Sequence, residues 1–158
     1  MRKIRYTVNV VIMNPLIVLP LIIGFLIGSN TKPGDWYFNL KKPALNPPPY
    51  IFGIAWSILY LLIGISYYLI FKNTTNNTLA FWIIPVLHLL INFSYSPVLF
   101  GAKKLFESAI IVTLTLVFAL LTMKKFYKIN KTSVYLLIPY ICWLVFANYL
   151  GWSIYLIN

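Results

Sequence analysis

A chain of 158 residues that is 61% hydrophobic and only 9% charged, with a mean hydropathy of +0.83, has too little polar surface to cover a water-soluble globule. Its 13 Lys and Arg against Asp35 and Glu107 give a net charge of +11, which in a soluble protein would point to nucleic acid. Here the cations stand between apolar runs, a pattern that meets anionic lipid headgroups, so membrane lipid is the expected partner and nucleic acid is not.

Apolar runs of about 20 residues, enough to cross a bilayer as helix, fall near 7–29, 49–71, 79–101, 106–125 and 133–157. They lack the alternation of a membrane barrel, and backbone polar groups in hydrocarbon must be satisfied within the segment. The expected fold is therefore all-α, a single domain over 1–158 formed by an integral membrane bundle of five transmembrane helices. The start Arg2-Lys3-Ile4-Arg5 resembles a signal-peptide n-region, but the apolar run after it is too long and has no small-residue cleavage site, so a retained first span is expected. Lys and Arg number eight on the side of the N-terminus against five on the other, which predicts a cytoplasmic N-terminus. Cys142 has no cysteine to pair with in the chain.

In the first run Gly24 and Gly28 form a G-x-x-x-G pair that lets another backbone approach, within the bundle or across a dimer. The connection 30–48 carries Trp36, Tyr37, Lys41, Lys42 and Pro43 and ends in Pro47-Pro48-Pro49, whose fixed φ angles stiffen it. Such a segment suits a lid over a pocket for something flat, apolar and anionic, with Lys32, Lys41 or Lys42 near its acidic groups. Trp36 and Tyr37 could equally anchor a helix end at the membrane interface. The second run places Phe52, Trp56, Tyr60, Ile63 and Tyr67 on one helical face, either a packing surface or a pocket wall.

On the third run His88, Asn92, Tyr95, Ser96 and Leu99 share a face bracketed by Pro85 and Pro97. Polar groups at membrane depth turn inward, so this face is expected in the bundle interior, with the prolines freeing carbonyls or kinking the helix. His88 is read as a neutral imidazole bonded to a neighbouring helix, and no metal site is expected, since no second His and no Cys-His spacing exists. Asn92 either clips two helices or meets a ligand. The fourth run reads as packing surface, with Glu107 near its start beside Lys103 and Lys104, and the stretch 124–131 as a basic, lipid-facing collar. On the fifth run Trp143, Phe146, Ala147, Leu150 and Ile154 fall together, and Ala147 leaves room beside an indole, for a planar molecule or for tight packing.

These motifs resemble the TspO/MBR family of tryptophan-rich sensory proteins. The resemblance rests on Trp36, Tyr37, Leu40, Lys42, Pro43, Pro47, Pro48, Phe52 and Trp56 in and after the first loop, on Asn92, Tyr95, Ser96 and Pro97, and on Leu136, Leu137, Pro139, Tyr140, Trp143, Phe146 and Ala147. It implies a TspO-like five-helix protein, a bacterial-type member in the cell membrane, often a homodimer, that binds porphyrins such as protoporphyrin IX and haem as ligands, with no cofactor required. The pocket it implies lies beneath the first loop and uses Tyr37, Trp56, Asn92, Tyr95, Trp143 and Ala147. With the residue-level reading, Trp36, Pro47, Phe52, Tyr60 and Phe146 complete the candidate ligand-binding set. The resemblance also implies, as an alternative, an enzyme that breaks down bound porphyrin in light through Trp56 and Trp143. A transporter of tetrapyrroles or lipids is a further alternative, disfavoured by the lack of a charged residue in mid-membrane. Two departures stand out: many members carry Trp where this chain has Tyr95, and no Lys or Arg follows Tyr155 to complete the sterol pattern proposed for the family.

Overall fold

The structure, a computed structural model, describes residues 14–75 and 78–158, so the part of the expected first span before Asn14 lies outside the described residues. Every regular element among them is a helix: α1 (Pro15–Asn30), α2 (Asp35–Asn39), α3 (Pro49–Asn73), α4 (Leu79–Ser96), α5 (Leu105–Tyr127) and α6 (Lys131–Ile157). Of these, α3, α4 taken through Gly101, α5 and α6 are long and apolar enough to cross a membrane, and α1 is a shorter apolar helix. Their outward residues, among them Ile54 and Ile58 on α3, Ile83 and Leu90 on α4 and Val117 and Leu120 on α5, are exposed. Such a surface suits hydrocarbon and not water. The chain is an integral membrane protein built as an all-helical bundle.

Local chemistry sets the helix ends. The Asn14 side chain accepts from the Leu16 amide at 3.0 Å, and Pro15 takes the first helical position, where a missing N–H costs nothing. Asn130 caps α6 in the same way through the Ser133 amide, at 3.2 Å. The helices outrun the apolar runs, because backbone bonding continues where side chains turn polar. Of the basic stretch 124–131 only 128–130 connects the helices: α5 extends to Tyr127, α6 begins at Lys131, and the Lys125 ammonium donates to the carbonyls of Ala80 at 3.2 Å and Phe81 at 2.5 Å, while Lys124, Lys128 and Lys131 are exposed. Pro85 has no N–H to offer the Phe81 carbonyl one turn earlier, and Lys125 supplies the missing donor. At Pro97 the helix neither ends nor simply kinks. It widens into a π turn over Pro97–Gly101, in which the Ala102 amide reaches back to the Pro97 carbonyl at 2.8 Å. At the start of α5 the expected ion pair forms between Lys104 and Glu107, at 3.2 Å.

Around the bundle, α1 packs on α3, α3 on α6, α6 on α5 and α5 on α4, while α4 closes back on α1 only lightly. Small residues make the tight contacts. A methyl built on Gly64 would lie 1.8 Å from the Ile17 carbonyl oxygen, and one on Gly24 would lie 2.2 Å from the Tyr60 ring, so α1 and α3 meet backbone to backbone. Gly24 of the G-x-x-x-G pair is thus used within the bundle. Ser66 and Ser133 bond reciprocally across α3 and α6, each hydroxyl reaching the other's carbonyl at 2.9 Å. On α5 the Thr113 hydroxyl donates to Asn148 at 2.7 Å and accepts from the Trp152 indole at 3.0 Å, fastening that helix to α6.

Gly64→Ala should overpack the α1–α3 seam and lower stability by about 1–3 kcal/mol, read as a fall in the melting temperature of the detergent-solubilised protein. Gly28→Ala, where an added methyl meets nothing within 4 Å, should leave that temperature unchanged.

Candidate functional site

The light closure between α1 and α4 leaves a cavity of about 520 Å³. Leu21, Gly24, Phe25 and Gly28 of α1 form one side; Phe52, Trp56 and Tyr60 of α3 and Asn92, Phe93, Tyr95 and Ser96 of α4 form the others, with Leu99 and Phe100 of the π turn. Behind this wall lies a second cavity of about 40 Å³, lined by Trp143, Leu144, Ala147, Leu150 and Ile154 of α6 with Val112 and Thr115 of α5. Tyr37, Phe52, Trp56, Asn92 and Tyr95 border both spaces. These five side chains are the partition between them.

The roof is the segment between α1 and α3. Tyr37 stands edge-on to Phe100, with ring centroids 5.0 Å apart. The Lys42 ammonium sits 4.4 Å from the Tyr37 ring centre and donates to the carbonyls of Tyr37 and Leu40, the latter at 2.9 Å. It thereby takes up two carbonyls at the end of α2. Burial pushes the Tyr37 hydroxyl pKa up and the Lys42 ammonium pKa down, as expected where charge is drawn away from water. Pro47 and Pro49 line the cavity edge, and Pro48 holds the extended backbone, φ −55° and ψ 146°, that delivers the chain into α3. Asn158 clamps the roof from the far end of the chain: its side chain accepts from the Lys41 amide at 2.9 Å and donates to the Lys41 carbonyl at 3.0 Å.

Aromatic contacts fix the wall. Trp56 lies 5.1 Å from Tyr60 and 6.2 Å from Tyr140, centroid to centroid, and Phe52 lies 5.9 Å from Trp143. Asn92 is an interhelical clip and a wall residue at once. Its side-chain oxygen accepts from the Tyr60 hydroxyl at 2.9 Å and its amide donates to the Tyr140 hydroxyl at 3.0 Å. His88 is a buried imidazole between Tyr67 and Tyr140, 2.8 Å from each hydroxyl, in keeping with its reading as a helix-to-helix partner. Two buried polar atoms at these cavities have no hydrogen-bond partner among the described residues, the Asn46 side-chain oxygen and the Trp143 indole nitrogen.

Of the candidate residues, Tyr37, Pro47, Phe52, Trp56, Tyr60, Asn92 and Tyr95 come together around the large cavity. Trp143 and Ala147 line the small one. Trp36 and Phe146 line neither. Phe146 turns aside to pack between Trp143, at 5.7 Å, and Tyr149, at 6.3 Å, because it sits at the edge of the α6 stripe. Lys32 and Lys42 border the large cavity, whereas Lys41 does not and is engaged through its backbone. Sequence reasoning missed Phe93, which stands one residue off the polar stripe of α4, and Phe100, because a stripe counted at regular helical spacing cannot foresee the shift that a π turn introduces.

A roofed, aromatic cavity of this size in a helical membrane protein is large enough to hold a small molecule. The TspO/MBR family profile matches residues 16–156, and this chain belongs to that family. It is 36% identical to the tryptophan-rich protein TspO of Bacillus cereus over 136 residues, covering 85% of this chain and 89% of that protein. It is 34% identical to the translocator protein homolog of Schizosaccharomyces pombe, with 89% and 88% of the two chains covered. Human translocator protein is 28% identical, over 84% of this chain and 82% of that one.

Replacing Lys42 with Met removes its charge-assisted bonds to the roof carbonyls. Such bonds contribute about 1.5 kcal/mol or more, so amide exchange across residues 35–42 should accelerate about tenfold. Exchange at the wild-type rate would show that Lys42 does not hold the roof.

Proposed function

We propose that this protein is a membrane receptor for a planar, apolar, anionic ligand of the porphyrin type, held in the large cavity beneath the roof. The observation that carries this reading is the convergence of Tyr37, Phe52, Trp56, Tyr60 and Tyr95 from the roof and two helices on one space of about 520 Å³, within the range of about 300–1,000 Å³ common for small-molecule sites. Indole and phenol faces suit a conjugated ring, and Lys32 and Lys42 at the edge suit its carboxylates. In this reading the protein sits in a bacterial cell membrane as a homodimer, N-terminus cytoplasmic, and needs no cofactor besides the ligand.

Protoporphyrin IX, titrated in the dark, should quench tryptophan fluorescence saturably. Trp56→Ala should weaken binding at least tenfold, equivalent to about 1.4 kcal/mol of lost stacking and packing, and Trp36→Ala should leave it within about twofold, an energy below roughly 0.5 kcal/mol. Absence of saturation in the wild-type protein would end the proposal.

The place of Trp56 on the partition favours a second reading, light-dependent breakdown of the bound ring, with Trp143 behind that partition as the second indole. Under light and air the porphyrin spectrum should then bleach severalfold faster with wild-type protein than with Trp143→Phe. Equal rates would leave binding alone.

A further inference from the structure

Five polar side chains form one continuous line from Tyr60 in the cavity wall to Tyr67, and the Pro85 carbonyl beside Tyr67 directs the hydrogens along it. The Pro85 carbonyl can only accept, so the Tyr67 hydroxyl, 3.0 Å away, spends its one hydrogen there. The contact of 2.8 Å between Tyr67 and His88 Nδ1 must then be donated by the imidazole. A neutral imidazole with hydrogen on Nδ1 keeps a bare lone pair on Nε2, and the Tyr140 hydroxyl, 2.8 Å away, donates to it. The Tyr140 oxygen accepts from Asn92 at 3.0 Å, and Asn92 in turn accepts from Tyr60 at 2.9 Å. Tyr67 and Tyr140 each donate once and accept once, and Tyr60 donates to Asn92. The result is a phenol held against a bare imidazole nitrogen, with Tyr140 at 0% and His88 at 1% exposure. Neither residue borders either cavity, so the pair is not part of the ligand-contacting wall. Two wall residues reach it: Asn92 through its bond to the Tyr140 hydroxyl, and Trp56, the oxidisable one, whose ring centre lies 6.2 Å from that of Tyr140.

We propose that Tyr140 and His88 are a proton-coupled redox pair that draws oxidising equivalents out of the cavity through Trp56. A one-electron-oxidised phenol is a strong acid, and a buried tyrosine can lose an electron readily only where a base stands ready for its proton. His88 Nε2 is that base. For its oxidant the pair rests on the second reading above: a photoexcited planar ring in the cavity passes an electron to dioxygen, giving superoxide and a ring radical cation. The ring recovers an electron from Trp56, and the indole radical cation recovers one from Tyr140. As that electron leaves, the Tyr140 O–H bond breaks and the proton passes to Nε2, leaving a neutral tyrosyl radical and an imidazolium that still donates from Nδ1 to Tyr67. The balance is one electron from Tyr140 to dioxygen and one proton from Tyr140 to His88, with ring and Trp56 restored. Tyr140 and His88 touch neither guest nor oxygen and act through Trp56.

The test needs no bound porphyrin, so its failure and the failure of ligand binding are separable. Cys142 is a free, exposed thiol, and a photo-oxidising ruthenium complex tethered to it in the full-length, lipid-embedded chain, with a soluble electron acceptor, generates the oxidant by flash. The chain contains 1 His. Freeze-trapped wild-type protein grown on ¹⁵N-histidine should therefore show a neutral tyrosyl radical carrying a ¹⁵N hyperfine coupling from that imidazole. Tyr140→Phe should reduce this signal at least tenfold, and so should His88→Gln, which removes the base. Tyr67→Phe removes one end of the line, while the Asn92 amide still occupies the Tyr140 oxygen and leaves its hydrogen to Nε2, and it should retain the signal within twofold. A wild-type tyrosyl radical without nitrogen coupling, or no tyrosyl radical at all, overturns the proposal whether or not the variants fold. A loss in Tyr67→Phe equal to that in His88→Gln would assign the line a structural role only.

Discussion

In hydrocarbon a buried polar group finds its partner inside the protein or goes without, and the arrangement of α3, α4 and α6 follows from that constraint. His88 and Asn92 lie one turn apart on α4, and their partners Tyr60 and Tyr67 come from α3 and Tyr140 from α6. Tyrosine side chains are long. Bonding through them holds α4 at a distance from α3 that backbone packing would not give, in contrast to the α1–α3 seam, where Gly64 brings the chains into direct contact. The space left between α1, α3 and α4 is the large cavity.

Roof and wall answer the same constraint at different depths. Just past the end of α2, Lys42 and Asn158 take up the carbonyls of Leu40 and Lys41 and fix the segment over the cavity. At the other end of α4, Lys125 does the same for the carbonyl that Pro85 strands. At Pro85 proline is admitted because a side chain from elsewhere takes up the freed group. At Pro97 the alternative is seen: the helix widens, and Phe100 joins Leu99 at the cavity.

Much of this was legible before any coordinates. The length and polarity of the apolar runs give the helices, and the spacing of His88, Asn92, Tyr95 and Leu99 gives the inward face of α4. The motif around Trp56, Asn92 and Trp143 points to the family, whose profile covers residues 16–156. What could not be read depended on contacts between distant segments. Nothing local to Lys41 announces Asn158, and nothing in Lys125 announces Phe81. The division of the candidate residues between a large and a small cavity, with Trp143 and Ala147 behind the partition, depends on which side of Trp56 each helix presents. Trp36 carries the family motif and is partly buried, yet lines neither space. A conspicuous aromatic in a loop does not by its presence reveal which way it faces.

The account stands on a flat guest occupying the space between α1, α3 and α4. The most direct measurement is an experimental structure of the protein in lipid with protoporphyrin IX bound. The account predicts the macrocycle seated against Trp56 and beneath Tyr37, with its carboxylates toward Lys32 and Lys42. Density for the ring on the outer, lipid-facing surface, with the space beneath Tyr37 empty or closed by side chains, would contradict it.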